Sequence, residues 1–343
     1  MQLHLIIPGL LWPSKALQNT AYDLDLPALS WLLGRGRLSW QAPQPLENWL
    51  CNAFGIESAE PPTAALRLLG EGRDPGAAIW LCADPMHLQI EQGRMRFSEK
   101  NPATTQEEMQ QIVAALAPLF AELGEFDGAA DGCSGRGYLQ LREMPQLKFI
   151  PPSCSVRQTR LLAESEDAAR WRRIGNEVQM LLHALPLNVQ RELDGRPMLN
   201  ALWFWGAGVL PPHGASRYTQ VLGNSPLLSG LARWSATQQE ETPAHPDALL
   251  KTPSTNTLLL LDALQAPERH LDALAWREAL VAIDRDWLQA LRRALLGGRL
   301  GNLRITALGD EASLDIRLSR GDLLKFWRRP KTLIELTYPQ GSA

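Results

Sequence analysis

The chain has 343 residues, 45% of them hydrophobic and 21% charged, enough to bury a full core and more than one minimal domain requires. Its 34 basic and 37 acidic side chains leave a net charge of −3, which exerts no global pull on a phosphate backbone, so nucleic acid is not an expected partner. The four cysteines, Cys51, Cys82, Cys133 and Cys154, form no Cys-x-x-Cys pair; this spacing suggests neither a zinc knuckle nor a disulfide scaffold and predicts free thiols in a reducing compartment. No apolar run approaches the roughly 18 to 20 residues that span a bilayer, and the first residues lack a basic, cleavable leader. A cytoplasmic protein without a membrane segment is expected.

Leu3 to Ile7 reads as a short buried strand ended by Pro8-Gly9, and Leu26 to Gly34 as a helix closed by glycine. Pro45 to Phe54 and Pro62 to Leu69 read as short helices. Ala77 to Ala83 is apolar on both faces, the pattern of a central strand. From Leu88 the pattern changes. Leu88-Gln-Ile-Glu, Arg94-Met-Arg-Phe, Tyr138-Leu-Gln-Leu and Leu147-Lys-Phe-Ile alternate as half-exposed antiparallel strands do, and an amphipathic helix spans about Thr105 to Leu123. Residues 86–190 are therefore expected to form an inserted α+β domain, with 1–85 and 191–343 as the core. Arg170 to Leu185 carries apolar residues at helical spacing. Leu227 to Trp234 and Pro246 to Leu250 read as helices and Leu258 to Leu261 as a buried strand. A long helix from Leu271 to Leu296 stops at Gly297-Gly298. Two strands, Asn302 to Ala307 and Ser313 to Leu318, and a helical turn, Asp322 to Trp327, complete the chain. Strands alternating with helices predict a mainly parallel α/β sheet with helices on both faces.

The stretch Gly195 to Gly208 joins an apolar aromatic strand to a turn containing Gly206 and Gly208, where glycine permits close approach of a ligand or of another backbone. Trp203 and Trp205 could line a pocket there with Asn200 orienting a polar ligand; core packing is the competing role for these aromatics. Asp84 and His87 follow a buried strand, placed either to bind a ligand and exchange protons or to cap a turn and satisfy a local carbonyl. Arg328 and Arg329 are read as an anion clamp or as a solvated surface pair. The loop Gly132 to Gly137 lacks a P-loop lysine and reads as a turn, leaving Ser153 and Ser155 without a phosphate cradle beside them.

Asn188-x-x-Arg191, Gly195-Arg-Pro-x-x-Asn200-x-Leu-Trp203-x-Trp205-Gly-x-Gly208, the helix carrying Ile283-Asp284, and Met95 and Ser98 ahead of a long helix together resemble the archaeal-type cofactor-independent phosphoglycerate mutases. Ala83-Asp-Pro-x-His-Leu88, the Trp-Phe-Trp-Gly-x-Gly turn and Phe326-Trp-Arg-Arg-Pro330 more narrowly resemble bacterial phosphoglycerate mutase-like proteins labelled RpfE-type regulatory proteins. The resemblance implies an alkaline-phosphatase-like core with an inserted domain. In the enzymes, Asp and His ligands hold two divalent metals and a serine carries phosphate, a chemistry that losing several ligands should disable. This chain departs from that pattern. Pro8-Gly9 stands where the first strand should end in Asp-Gly, and the late Asp-His pair is reduced to Gly309-Asp310. Asp262, His270 and Asp272 keep a different spacing. The resemblance thus implies a regulatory protein without cofactor that binds a small anionic ligand or a protein partner. The alternative is a metal-dependent phosphoryl-transfer enzyme with a rearranged site, drawn from Asp262, His270 and Asp310.

Overall fold

In the computed structural model, residues 1–91, 94–97, 104–128, 135–152, 166–249 and 256–336 are described. Among them the strands, in chain order, are β1 (Gln2–Pro8), β2 (Arg37–Gln41), β3 (Ile79–Met86), β4 (Leu88–Glu91), β5 (Arg94–Phe97), β6 (Gly124–Gly128) and β7 (Gly137–Leu141). They continue with β8 (Ala201–Gly208), β9 (Gln220–Leu222), β10 (Gln238–Glu240), β11 (Asn256–Leu260), β12 (Asn302–Leu308) and β13 (Ser313–Ser319). The chain divides into two units, residues 1–56 with 214–343, and residues 57–213.

The first unit holds a seven-stranded sheet in the order β10-β9-β11-β1-β12-β13-β2. The five strands from β10 to β12 are mutually parallel, and β13 and β2 add antiparallel partners at one side. Alternation decides which side chains reach the core. Leu3, Leu5 and Ile7 of β1 share a face with Leu303, Ile305 and Ala307 of β12 and Leu314, Ile316 and Leu318 of β13. All nine are buried against Leu29 and Leu32 of helix Pro27–Arg35 and against Trp276, Leu280, Leu288 and Leu291 farther on. On the opposite face His4 meets the ring of Trp49, from helix Leu46–Ala53, edge-on at 5.2 Å.

Residues 271–296, expected as one helix, run as Ala273–Ile283, a π-helical turn Asp284–Leu288, and Gln289–Leu296. A π turn fits one extra residue into a helix, and such turns are often functional or structural devices. Here it sets Asp284 beneath helix Pro27–Arg35. The carboxylate accepts the Leu29 N–H at 2.6 Å and the Ala28 N–H at 3.3 Å. Those are among the amides that a helix start leaves without internal partners.

The second unit holds the antiparallel sheet β6-β7-β3-β8 and, separately, the hairpin β4-β5. Ala77 to Ala83 was expected in the core sheet. Its residues from Ile79 on lie instead in β3, between β7 and β8, and the second unit, 57–213, begins and ends well outside 86–190. The apolar pattern is that of a central strand as read, but a strand covered on both faces is equally at home in an antiparallel sheet between two layers of helix. One face packs helices Gln106–Phe120 and Glu166–His183 through Leu81, Phe126, Leu139, Phe120 and Trp171. The other packs helix Thr63–Gly70 through Ala64, Ala65, Leu68, Trp80 and Tyr138. Leu147 to Ile150, read as a strand, forms none. Phe149 instead stacks edge-on against Trp171 at 5.1 Å. Cys51 and Cys82 are buried; burial pushes the Cys51 thiol well above its usual range. Cys154, Ser98, Ser153, Ser155 and the first half of the Gly132–Gly137 loop, Cys133 included, lie outside the described residues. No helix among the described residues is long and apolar enough to cross a membrane.

Candidate functional site

The aromatic strand and the Asp84 segment do meet, within the second unit. Asp84 stands in β3 opposite Trp203 of β8, with Trp205 two residues along. Trp205 donates its indole N–H to Asp84 Oδ2 at 2.8 Å, and the Gly137 amide donates to Oδ1 at 3.2 Å. Arg67, from helix Thr63–Gly70, closes a fork on the same carboxylate at 2.7 and 2.6 Å. Its Nε donates to the Tyr138 hydroxyl at 2.7 Å, and its guanidinium lies over the Tyr138 and Trp205 rings at 4.6 and 5.1 Å. Tyr138 in turn donates to Glu71 Oε1 at 2.6 Å. Burial disfavours the Arg67 charge, but the adjoining Asp84 carboxylate outweighs it and holds the guanidinium above its ordinary value. The Tyr138 hydroxyl is raised out of the titratable range by burial. A charged fork buried with its hydrogen bonds satisfied binds a helix to a sheet. It offers a ligand no open valence on Asp84.

The other residues read as ligand-binding are placed by similar internal bonds. His87 Nδ1 is 2.8 Å from the Met198 carbonyl, which is not the local carbonyl expected but one from the segment that pairs with β3. Asn200 accepts the Leu88 N–H at 2.7 Å and donates to the Leu88 carbonyl at 2.9 Å. Trp203 donates to the Ile150 carbonyl at 2.7 Å. Gly206, at φ +66°, and Gly208 leave space that is filled by helix Thr63–Gly70 and its lead-in: a Cβ on Gly206 would come within 2.8 Å of Thr63 and one on Gly208 within 2.6 Å of Pro62. Close approach was the right expectation for these glycines, and the partner is the chain's own helix. Arg328 and Arg329 are exposed and belong to the first unit, where Arg328 donates to the Gly36 carbonyl at 3.3 Å. Asn188 and Arg191 also have structural partners. Asn188 bridges the Leu182 and Leu199 backbones at 2.7 to 3.0 Å, and Arg191 reaches the Pro197 carbonyl at 2.7 Å and Glu108 at 2.8 Å.

The carboxyl edge of the first unit's sheet is the usual ligand position in a parallel α/β fold. Here β1 ends in Pro8 and turns at Gly9, φ +78°. The Gly9 carbonyl accepts the Trp276 indole N–H at 2.7 Å, and a Cβ on Gly9 would lie 2.6 Å from the Leu264 carbonyl oxygen. Leu10, Leu11 and Trp12 follow, all buried, with Trp12 packed on Trp276 at 5.0 Å. Beyond β12, Gly309 sits against Leu11. Apolar side chains therefore fill the turn after β1. Among the described residues no three His, Cys, Asp or Glu side chains are grouped to hold a metal ion, so Asp262, His270 and Asp310 do not assemble into one site. Asp272 instead caps helix Ala273–Ile283, accepting the Ala275 N–H at 3.0 Å.

The opposite, amino edge of that sheet carries a cleft of about 560 Å³ that sequence reasoning missed. His4, Arg37, Arg217, Tyr218, Arg304 and Arg317 line it. His4 bridges Tyr218 through Nδ1 at 2.7 Å and Thr306 through Nε2 at 2.8 Å, and the Thr306 hydroxyl donates to Asp315 Oδ1 at 2.5 Å. Burial, helped by Arg304 and Arg217, lowers the His4 imidazole to about 3. Burial alone would raise the Asp315 carboxyl, but bonds from Arg304 and Thr306 hold it below its ordinary value. The signal was present as Arg37-x-Ser39, Arg304-x-Thr306 and Asp315-x-Arg317, three polar alternations on strands whose other face is apolar.

No family model and no curated protein matches the chain. Among solved structures, the PH0037 protein from Pyrococcus horikoshii superposes with a TM-score of 0.56 at 16% identity, over 97% of this chain and 91% of that one. The two share a fold over nearly their whole lengths. A cofactor-independent phosphoglycerate mutase from Thermoplasma acidophilum gives a TM-score of 0.48 at 15% identity, over 100% of this chain and 95% of that one.

Proposed function

We propose that this chain is a phosphoglycerate mutase-like protein of alkaline-phosphatase-like architecture, of the RpfE-type bacterial group, that acts in the cytoplasm as a regulator. It works by binding a small anionic ligand or a protein partner and does not transfer phosphate. The motifs around Asn188, Gly195 to Gly208 and Phe326 to Pro330 support the kinship, and several of their residues are staples of the fold. Such residues can persist after a chemistry is lost, because a fold constrains its own staples whatever its function.

One observation carries the non-catalytic reading. The turn after β1, where the resemblance calls for an Asp ligand, has Pro8 in its place and is packed by Leu264 and Trp276. In this reading the Arg67–Asp84 fork is structural and the ligand binds elsewhere. The test is metal analysis of the purified protein together with phosphatase and mutase assays. The expected result is substoichiometric divalent metal and no turnover. Stoichiometric metal with a turnover abolished in Asp262→Ala would overturn the proposal and establish the rearranged enzyme.

A further inference from the structure

We infer that the cleft at the amino edge of the seven-stranded sheet is a binding site for a small phosphate monoester, seated on a row of arginines that crosses three adjacent strands. The register shows the row directly. His4 of β1 pairs with Arg304 of β12, Arg304 with Arg317 of β13, and Arg317 with Arg37 of β2. Paired residues in a sheet project from the same face, so three guanidinium side chains stand abreast. Like charges directly opposite one another destabilise a sheet. Local rules broken in this way are expected chiefly at functional or strained sites.

Charge sets the class of ligand. Asp315, one row farther in, binds Arg304 and also Arg317, the latter at 3.2 Å, and Asp322 lies 3.3 Å from Arg37. Arg217 lines the cleft too, its Nη2 donating to the Tyr218 hydroxyl at 2.8 Å. Two carboxylates against four guanidinium groups leave two positive charges uncancelled, and Lys325, bonded to Asp322 at 2.5 Å, adds a third nearby. A phosphate monoester brings close to two negative charges at neutral pH and oxygens that match guanidinium forks. The buried Nε of Arg304 has no hydrogen-bond acceptor among the described residues. A buried donor left in that state is costly unless a ligand completes it.

The cleft is of the size that small-molecule sites have. Its polar rim of Gln2, Ser39 and Asn302 suits the hydroxyl groups of the esterified part. Tyr218, His4, Thr306 and Asp315 form a continuous hydrogen-bonded chain along its inner side, fixing the Tyr218 hydroxyl and the Arg304 guanidinium before a ligand arrives. The site names a ligand class for the binding role proposed above, but it stands on its own geometry whether or not the chain also turns over a substrate.

Glycerol 2-phosphate titrated calorimetrically into the full chain tests it. Saturable binding is expected, tighter than for inorganic phosphate and absent for glycerol. Removing two charged hydrogen-bonding groups should weaken it at least about tenfold in Arg37→Met/Arg317→Met. Both side chains are largely exposed, 68% and 58%, and Asp315 keeps Arg304 and Thr306 while Asp322 keeps Lys325 and Ser319, so the double variant should still fold, which circular dichroism checks. Arg285→Met/Arg293→Met, which removes the same charge from two exposed arginines of the first unit outside the cleft, should bind as the parent does. The inference is overturned by an absence of saturable binding, by equal losses in the two double variants, or by an arginine-row-dependent affinity for a single-stranded oligonucleotide without affinity for the monoester. Phosphatase activity alongside intact binding would refute the non-catalytic reading and leave the site in place.

Discussion

Asp84→Ala should be among the most damaging single substitutions in the chain, for reasons that have nothing to do with a ligand. The carboxylate is the common acceptor for two Arg67 bonds, the Trp205 indole and the Gly137 amide. Arg67 is 7% exposed and Asp84 20%, so the guanidinium cannot recover its lost partner from bulk water. Removing one member of a buried ion pair costs about 3–5 kcal/mol, chiefly because the other charge stays behind unpaired. With a urea m-value of about 2.5 kcal/mol/M, that moves the unfolding midpoint down by roughly 1.5 M. Arg67→Met by itself strands the carboxylate at a similar cost. In Arg67→Met/Asp84→Ala both charges are gone, so the double variant should be more stable than the sum of the singles implies, by about 2 kcal/mol or more. Urea unfolding of the four proteins by far-ultraviolet circular dichroism measures this cycle. A single-variant cost below about 1 kcal/mol, or strict additivity, would refute the view of the fork as a buried structural clasp.

Acid should weaken the first unit before its carboxylates titrate. The folded chain keeps His4 neutral down to about pH 3, whereas the unfolded chain protonates it near 6.5. Stability is therefore complete above pH 6.5 and lost as pH falls through the window between those values, at up to about 1.4 kcal/mol per pH unit, or roughly 2 kcal/mol by pH 5. Urea midpoints at pH 7, 6 and 5 should show this slope in the parent and a flatter one in His4→Gln; identical slopes would count against it. Gly206→Ala should cost about 2 kcal/mol or more, since it combines positive φ with a 2.8 Å approach to Thr63. Gly195→Ala, at the same φ of +66° with nothing within 4 Å, should cost only about 1 kcal/mol. Equal thermal shifts would show that helix contact at Gly206 is unimportant. Asp284→Ala removes the acceptor for the Ala28 and Leu29 amides and should destabilise by about 1–2 kcal/mol, measurable as faster amide exchange at residues 28 and 29.

Period and punctuation made the elements of the first unit legible. The apolar runs of β1, β11 and β12 and the helices between them were read from hydrophobic spacing, and a mainly parallel sheet followed from their alternation. The same signals misplaced β3 and β8. A strand covered on both faces looks alike in a parallel and an antiparallel sheet, so Ala77 to Ala83 carried no mark of which sheet it joins. β2 escaped notice because Arg37-Leu-Ser-Trp-Gln alternates over only five residues. At the site, Asp84 and Trp205 were both singled out as ligand-binding and touch each other, yet their meaning depended on Arg67. That arginine lies on a short apolar helix and gives no sign in sequence of the partner 17 residues away. The arginine row was only half legible for the same kind of reason: each strand shows its own polar alternation but not which arginines stand side by side. It exists only once the register between β12, β13 and β2 is known, and a register is a relation between distant segments that no local pattern encodes.

The π turn at Asp284–Leu288 has a consequence for sequence drift in this lineage. Such a turn absorbs its extra residue at nearly the rotation and rise of an ordinary helical turn, so the helices before and after it keep the phase they would have without it. A one-residue deletion inside the turn would therefore leave Trp276, Leu280, Leu291 and Leu295 packed against the sheet and fall on Asp284, whose carboxylate would lose its place under the Ala28 and Leu29 amides. The core should tolerate such a deletion, and a natural variant that carries one should show a matching change near residue 28.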